Sequence, residues 1–206
     1  MKSKFEIENP TEFLSKLDKK IPSNPDPNNL RKPGMNSAEL RDFMTYLNKE
    51  TVMLEVGGGA SSVYWTRYVK ELVVIEPSQT VADRISESIS NLTKGSDFVI
   101  HCIRPNFQQK KLSIAAKPGQ FDDMIQFISK LENEKFDVAF VDGRDRVRSL
   151  EAAIHSVKLG GILAIHDFWF RQRYHSLLEN KSLVSINPIE KYTQKNNSLG
   201  IFKRVV

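Results

Sequence analysis

A chain of 206 residues with 40% apolar and 27% charged residues is long enough for one domain with a sizeable core, and its composition is that of a soluble globular protein. No apolar run approaches the roughly 20 residues of a membrane span, Met1-Lys2-Ser3-Lys4 leads into no apolar signal region, and the single cysteine, Cys102, excludes an intramolecular disulfide, which together favour a cytoplasmic setting. The net charge of +5 is modest and its basic residues form no concentrated stripe with interleaved aromatics, so anionic or sugar-like partners are compatible and a nucleic-acid partner is not required.

Five of the nine prolines precede residue 34, and the chain divides into an N-terminal extension or flap, 1–35, and a domain over 36–206. In the extension, Thr11 to Leu17 reads as a short helix, followed by an irregular Pro- and Asn-rich stretch from Ile21 to Asn29. Ser37 is placed to cap a helix with Leu40, Phe43, Met44 and Leu47 at helical spacing, ending near Asn48. Strands and helices then alternate. Val52–Val56, Leu72–Ile75, Phe98–Ile103, Phe136–Val141 and Ile162–Ile165 read as strands; 61–69, 78–92, 121–131, 147–157 and 170–178 read as helices. Gly95 closes the second of these helices, Gly160-Gly161 reads as a turn, and the polar connection 104–120 is too long for a tight turn. Two late β-like runs, Leu183–Ile186 and Leu199–Phe202, complete the pattern. It predicts an α/β fold: a doubly wound, Rossmann-like, seven-stranded and mostly parallel sheet with a late antiparallel pair and helices on both faces.

In such sheets ligands bind outside the carboxyl ends of the strands. Those ends here carry Glu55-x-Gly57-x-Gly59, Glu76, Asp142 and His166-Asp167. The glycine loop admits a close backbone approach and offers N–H groups to a nucleotide-like ligand. An acidic residue ending strand two stands where a ribose diol is gripped, since a carboxylate accepts both of its hydrogen bonds. Two details disfavour a dinucleotide. Ser62 stands where that fingerprint has a third Gly or Ala, and Glu55 would repel a pyrophosphate while tolerating an amine or a sulfonium.

With these residues in view, the chain resembles the class I S-adenosylmethionine-dependent methyltransferases, and within them small-molecule O-methyltransferases whose fourth strand ends in Val-Asp-Gly-Arg, as Val141-Asp142-Gly143-Arg144 does here. Gly160-Gly161-Ile162-Leu163-Ala164-Ile165-His166-Asp167 and Arg173-Tyr174 match the same subgroup, and the resemblance covers about residues 35 to 204. The domain also resembles sugar-methylating modules of glycan-modifying proteins in large DNA viruses. The resemblance implies S-adenosylmethionine as cofactor, S-adenosylhomocysteine as product, and a hydroxyl of a sugar, glycan or other small molecule as acceptor. It implies that Glu55 faces the methionine amine directly or through water, that Gly57 and Gly59 let the cofactor pass, and that Ser61 or Ser62 donates hydrogen bonds at the helix start. Glu76 would hold the ribose, Pro77-Ser78 would border the adenine, and Asp142 would sit beside the sulfonium. The chain departs from the family in Gly58, where a bulkier middle residue is common.

A hydroxyl needs a base before it attacks a methyl group. Asp142 is the first candidate and His166 the second. Asp142 and Asp167 could instead hold a Mg or Mn ion, as in cation-dependent members of the fold, although Phe168 follows where an Asn is common. Arg144, Arg146, Arg171 and Arg173 would line an acceptor pocket, and Trp169 and Tyr174 could form a sugar-stacking wall. Plainer roles exist for each residue: Glu76 as a solvated loop acid, Asp142 as a helix N-cap, His166 as a structural hydrogen-bonding residue. His155 and His175 read as surface residues, and Trp65 and Cys102 as packing residues. The competing functions are a nucleic-acid or protein N-methyltransferase, disfavoured because Asp142-Gly143-Arg144-Asp145 replaces the Pro-Pro-aromatic signature, and a non-catalytic adenosyl-binding module. The residues leave the oligomeric state open.

Overall fold

Parallel strands covered on both faces read as continuous apolar runs, and that is how the sheet of this chain is written. The structure, a computed structural model, describes residues 10–92, 97–107, 116–187 and 198–206. The strands are β1 (Val52–Val56), β2 (Glu71–Glu76), β3 (Asp97–Cys102), β4 (Phe136–Val141), β5 (Val157–Ile165), β6 (Leu183–Ser185) and β7 (Gly200–Arg204). They form one sheet in the order β3-β2-β1-β4-β5-β7-β6. The first five run parallel, while β7 is antiparallel to both β5 and β6. The order reverses between β1 and β4, so the crevice at their carboxyl ends is where this architecture binds ligands.

Side chains alternate between two cores. Leu54 and Val56 of β1 face a cluster with Met124 and Ile128 of α5 (Asp122–Ser129) and Leu150 of α6 (Arg146–Ala153). Met53 faces the other, built from α1 (Pro10–Lys20), α2 (Ser37–Met44), α3 (Ala60–Trp65) and α4 (Gln79–Ser90). There Phe43, Trp65 and Phe140 meet edge-on or tilted at centroid distances of 5.2 to 5.9 Å. Leu17, Ile21 and Leu30 from the N-terminal stretch are buried in this second cluster.

Several boundaries differ from expectation for identifiable reasons. The cap of α2 is Asn36, one residue before Ser37: its side chain accepts from the N–H groups of Ala38 and Glu39, and Glu39 reaches back to the Asn36 N–H, a capping box. The helix ends at Met44 rather than near Asn48. Gly160-Gly161 is not a turn but lies inside β5, where the register against β4 slips between Phe136 and Val138 and Gly160 takes φ +79°. The helix predicted over 147–157 is α6 closed by a 3-10 turn, Ile154–Ser156, and that over 170–178 is 3-10, Gln172–Glu179. Gly95 and much of the 104–120 connection lie outside the described residues.

Candidate active site

Two glycines set the floor of the crevice. Gly57, at φ +92°, packs so tightly on the turn after β4 that a Cβ there would lie 2.1 Å from Gly143 Cα. The N–H groups of Asp142 and Gly143 both donate to Val56 O, at 3.0 and 2.9 Å, locking the β1 and β4 turns together. Gly58, where the family resemblance leads one to expect a bulkier residue, has its reason in packing: a Cβ would stand 2.7 Å from both Val74 Cγ1 and Ile85 Cδ1. Gly59 has open space where its Cβ would be, and this is the face a ligand can approach.

Beneath the loop, Glu55 is fully buried, and its carboxylate accepts from Ser61 Oγ at 2.6 Å, Ser62 Oγ at 2.5 Å and Trp65 Nε1 at 3.2 Å. Ser62 Oγ also accepts from the Gly59 N–H at 3.0 Å. Glu55 has no exposed surface with which to meet an amine, and the two serine hydroxyls donate inward to it, so the set shapes the loop from below.

Glu76, at the end of β2, is 7% exposed. Its Oε1 accepts from the Ser78 N–H at 2.8 Å, and the Gly58 N–H also bonds to the carboxylate. A carboxylate has about four acceptor positions, so capacity for a diol remains. Ser78, next to Pro77, caps α4.

Burial pushes both Glu55 and Glu76 up to about 7 from an ordinary 4.5, only partly opposed by their hydrogen bonds. An unfolded chain ionises them near 4.5, so between about 4.5 and 7 the folded state holds the extra protons and loses stability as pH rises. His166, also raised, acts in the same direction from about 6.5 upward, whereas Asp167, lowered from 3.8, acts only in more acidic solution. The thermal midpoint is therefore expected to fall from pH 5 to pH 8, and Glu55→Gln to flatten the fall in a calorimetric series. A midpoint that rises across this range contradicts the assignment.

Across the crevice, the ends of β4 and β5 meet through one guanidinium. Arg146 contacts Asp142 Oδ1 at 2.8 Å and Asp167 Oδ2 at 2.9 Å, and donates to the carbonyls of His166 at 2.7 Å, Gly143 at 3.1 Å and Asp142 at 3.2 Å. Arg171 adds a second contact to Asp167 Oδ2 at 2.8 Å. His166 Nδ1 lies 3.0 Å from Asp142 Oδ1 and 3.9 Å from Asp167 Oδ1, and its Nε2 lies 4.0 Å from Glu39 Oε2. Burial alone would lower the imidazole, but these surrounding carboxylates, Asp142 foremost, hold it above its ordinary value. Asp167 shows the converse: burial would raise it, and Arg171, Arg146 and His166 bring it below the usual carboxylate range.

The predicted metal pair does not fit this donor set. The two carboxylates share an arginine where a cation would stand, Asp167 carries a second one, and among the described residues no group of three His, Cys, Asp or Glu could hold an ion. Asp142 is not a helix N-cap either. That position belongs to Asp145, which is left-handed at φ 49°.

Beside this cluster lies a cavity of about 250 Å³ lined by Gly143, Arg144, Arg146, Arg171, Arg173 and Tyr174 among others. The arginines expected around an acceptor pocket thus come together, although Arg146 and Arg171 also hold the aspartates. The aromatic wall is only half present. Tyr174 lines the cavity, but Trp169 packs on Phe168 and His175 at 4.7 and 5.7 Å and does not line it. His175 is half-buried in that stack rather than at the surface, whereas His155 is exposed.

Glu39 was not singled out from the sequence. It is 2% exposed, and its Oε1 accepts from the N–H groups of Ser198 at 2.5 Å and Leu199 at 3.1 Å, while Oε2 serves the Asn36 N–H and faces His166. Only the capping-box spacing Asn36-x-x-Glu39 was a signal for it, and that signal points to the helix rather than the site.

No protein-family model and no curated protein matches this sequence. Solved structures do match in fold. A methyltransferase-like protein from Silicibacter pomeroyi superposes with a TM-score of 0.62 at 18% identity, covering 86% of this chain and 90% of that one. A putative methyltransferase from Streptococcus mutans, in complex with S-adenosylhomocysteine, gives 0.54 at 11%, with 83% and 100% covered. A tRNA (m1A58) methyltransferase from Aquifex aeolicus gives 0.51 at 15%, with 86% and 72% covered. The chain has the Rossmann-like fold of class I S-adenosylmethionine-dependent methyltransferases.

Proposed function

We propose that this protein transfers a methyl group from S-adenosylmethionine to a hydroxyl of a small molecule, with sugars and glycans as the leading acceptors. The observation that carries the reading is the Asp142–His166 hydrogen bond at the reversal point of the sheet, across the crevice from Gly59 and Glu76. When bound, the cofactor supplies a methyl group on a positively charged sulfur. Glu76 accepts from the ribose hydroxyls, Gly59 leaves room at the loop, and Pro77-Ser78 borders the base. Glu55, through Ser61 and Ser62, keeps the loop in shape.

His166 is the base of this proposal and Asp142 its orienting partner, which reverses the order of preference read from the sequence. Asp142 is engaged by Arg146 at 2.8 Å and by His166 Nδ1 at 3.0 Å, which suits its carboxylate to orienting the imidazole. Its bond to Nδ1 leaves Nε2 to take the proton of an acceptor hydroxyl. Glu39 and Asp167, near 4 Å away, stabilise the imidazolium that forms. An amine acceptor needs no such base in its neutral form, which favours oxygen over nitrogen. No helix among the described residues is long and apolar enough to cross a membrane.

The test is a labelled methyl-transfer assay over a panel of sugars, alcohols and phenols, with EDTA and with added Mg or Mn. We expect transfer to oxygen that survives EDTA, because Arg146 stands between the two aspartates. Transfer confined to nitrogen of RNA or protein would overturn the acceptor assignment.

A further inference from the structure

We propose that the acceptor is a small molecule bearing an oxyanion, a phosphate or a carboxylate, and that the arginine-lined cavity grips this group. The inference rests on the methyltransferase reading above and adds the class of acceptor to it. The cavity wall carries the guanidinium groups of Arg144, Arg146, Arg171 and Arg173 and one carboxylate, Asp145, which is itself turned to Arg148 at 3.0 Å. Asp142 and Asp167 match Arg146 and Arg171 charge for charge. Arg173 has no ion pair among the described residues and stacks 5.3 Å from the centroid of Tyr174, a residue 6% exposed. The wall is therefore cationic in excess.

A second observation points to a missing acceptor. The Nε of Arg171 is buried and has no hydrogen-bond partner among the described residues. A buried donor left unmade is costly, and Arg171 is among the residues that line the cavity, so an oxyanion bound there has an unsatisfied guanidinium beside it. The first turn of α6 adds to this field. Gly143, Arg144, Asp145, Arg146 and Val147 all line the cavity, and the helix has no side-chain N-cap hydrogen bond, so its first-turn N–H groups favour an anion.

Position ties the cavity to the chemistry. Arg146 lines it and touches Asp142 at 2.8 Å, and Gly143 lines it while packing on Gly57 of the glycine loop. An anion held there places the rest of the acceptor next to His166. A volume of about 250 Å³ suits a compact charged group; the clefts that hold whole drug-sized ligands run from roughly 300 Å³ upward. A nucleic acid would instead call for an extended basic track.

The experiment is a titration of isotope-labelled protein with inorganic phosphate and, separately, with acetate, at an ionic strength fixed with chloride and followed by NMR. We expect saturable shifts of the Arg171 and Arg173 Nε–H signals and of the first-turn amides of α6. Arg173→Gln should weaken binding about tenfold, the worth of one charge-assisted contact, and its exposed position keeps the fold intact. Tighter binding of phosphate assigns a phosphorylated acceptor; tighter binding of acetate assigns a carboxylated one. Shifts no larger than chloride produces, or a phosphate affinity untouched by Arg173→Gln, overturn the proposal. A short RNA that outcompetes both ions at this site overturns its small-molecule form. Amides of residues 57–61 report S-adenosylhomocysteine in the same samples. Anion binding without cofactor binding would sink the methyltransferase reading alone, and cofactor binding without anion binding would sink this inference alone.

Discussion

Replacing His166 with alanine is expected to lower kcat by a factor of about 10² to 10⁴ while leaving the affinity for S-adenosylhomocysteine unchanged, because general-base catalysis contributes about that much. The imidazole stands between Asp142 on Nδ1 and Glu39 near Nε2, and Glu76 belongs to a different strand end, that of β2. A structural histidine in the same place would give a different result, costing stability and cofactor affinity together. The pH profile separates the two further. Turnover needs neutral His166, so it should rise with pH through the raised value of the folded protein. Asp142→Asn removes the foremost carboxylate holding the imidazole up, and should move that rise to lower pH while reducing the plateau. Turnover within a few-fold of the parent in His166→Ala would remove the base assignment.

Arg146→Met is expected to cost about 2–4 kcal/mol in urea unfolding, the range for breaking a buried ion pair by removing one partner, discounted for partial exposure. The change leaves Asp142 and Asp167, 29% and 27% exposed, facing one another without the cation between them, and strips three backbone carbonyls of a donor. Against a typical total of about 5–15 kcal/mol this is a large fraction. Arg146→Lys keeps the charge but not the planar fork that reaches both carboxylates, so it should recover only part of the loss. If Arg146→Met unfolds within about 0.5 kcal/mol of the parent, the guanidinium does not hold the two strand ends together.

The strand ends were legible because a parallel strand announces its own end. Val52–Val56 and Phe136–Val141 run apolar until Gly57 and Asp142, and the structure places both strands at those residues. The reversal point followed from the order of elements, which sets the ends of β2, β4 and β5 on one edge of the sheet. What was not legible depends on contacts distant in sequence. Glu39 finds Ser198 and Leu199 some 160 positions away, which no local pattern encodes. Gly58 and Gly143 are needed for packing against Val74, Ile85 and Gly57, and a glycine in a loop looks the same whether it meets a ligand or a neighbouring chain segment. Gly160-Gly161 shows the same ambiguity: a doublet that ordinarily marks a turn marks a bulge in a long strand here. Arg146 was expected near a pocket, and it lines the cavity beside β4 and β5. Its grip on Asp142 and Asp167 depends on the turns after β4 and β5 coming together, a matter of tertiary structure.

The central claim is that the glycine loop and Glu76 hold S-adenosylmethionine or its product. Calorimetric titration of the purified protein with S-adenosylhomocysteine tests it most directly. The parent protein should bind, and Glu76→Ala should bind at least about tenfold more weakly through loss of hydrogen bonds to a charged acceptor. No heat of binding with the parent protein, or equal affinity in Glu76→Ala, would contradict it.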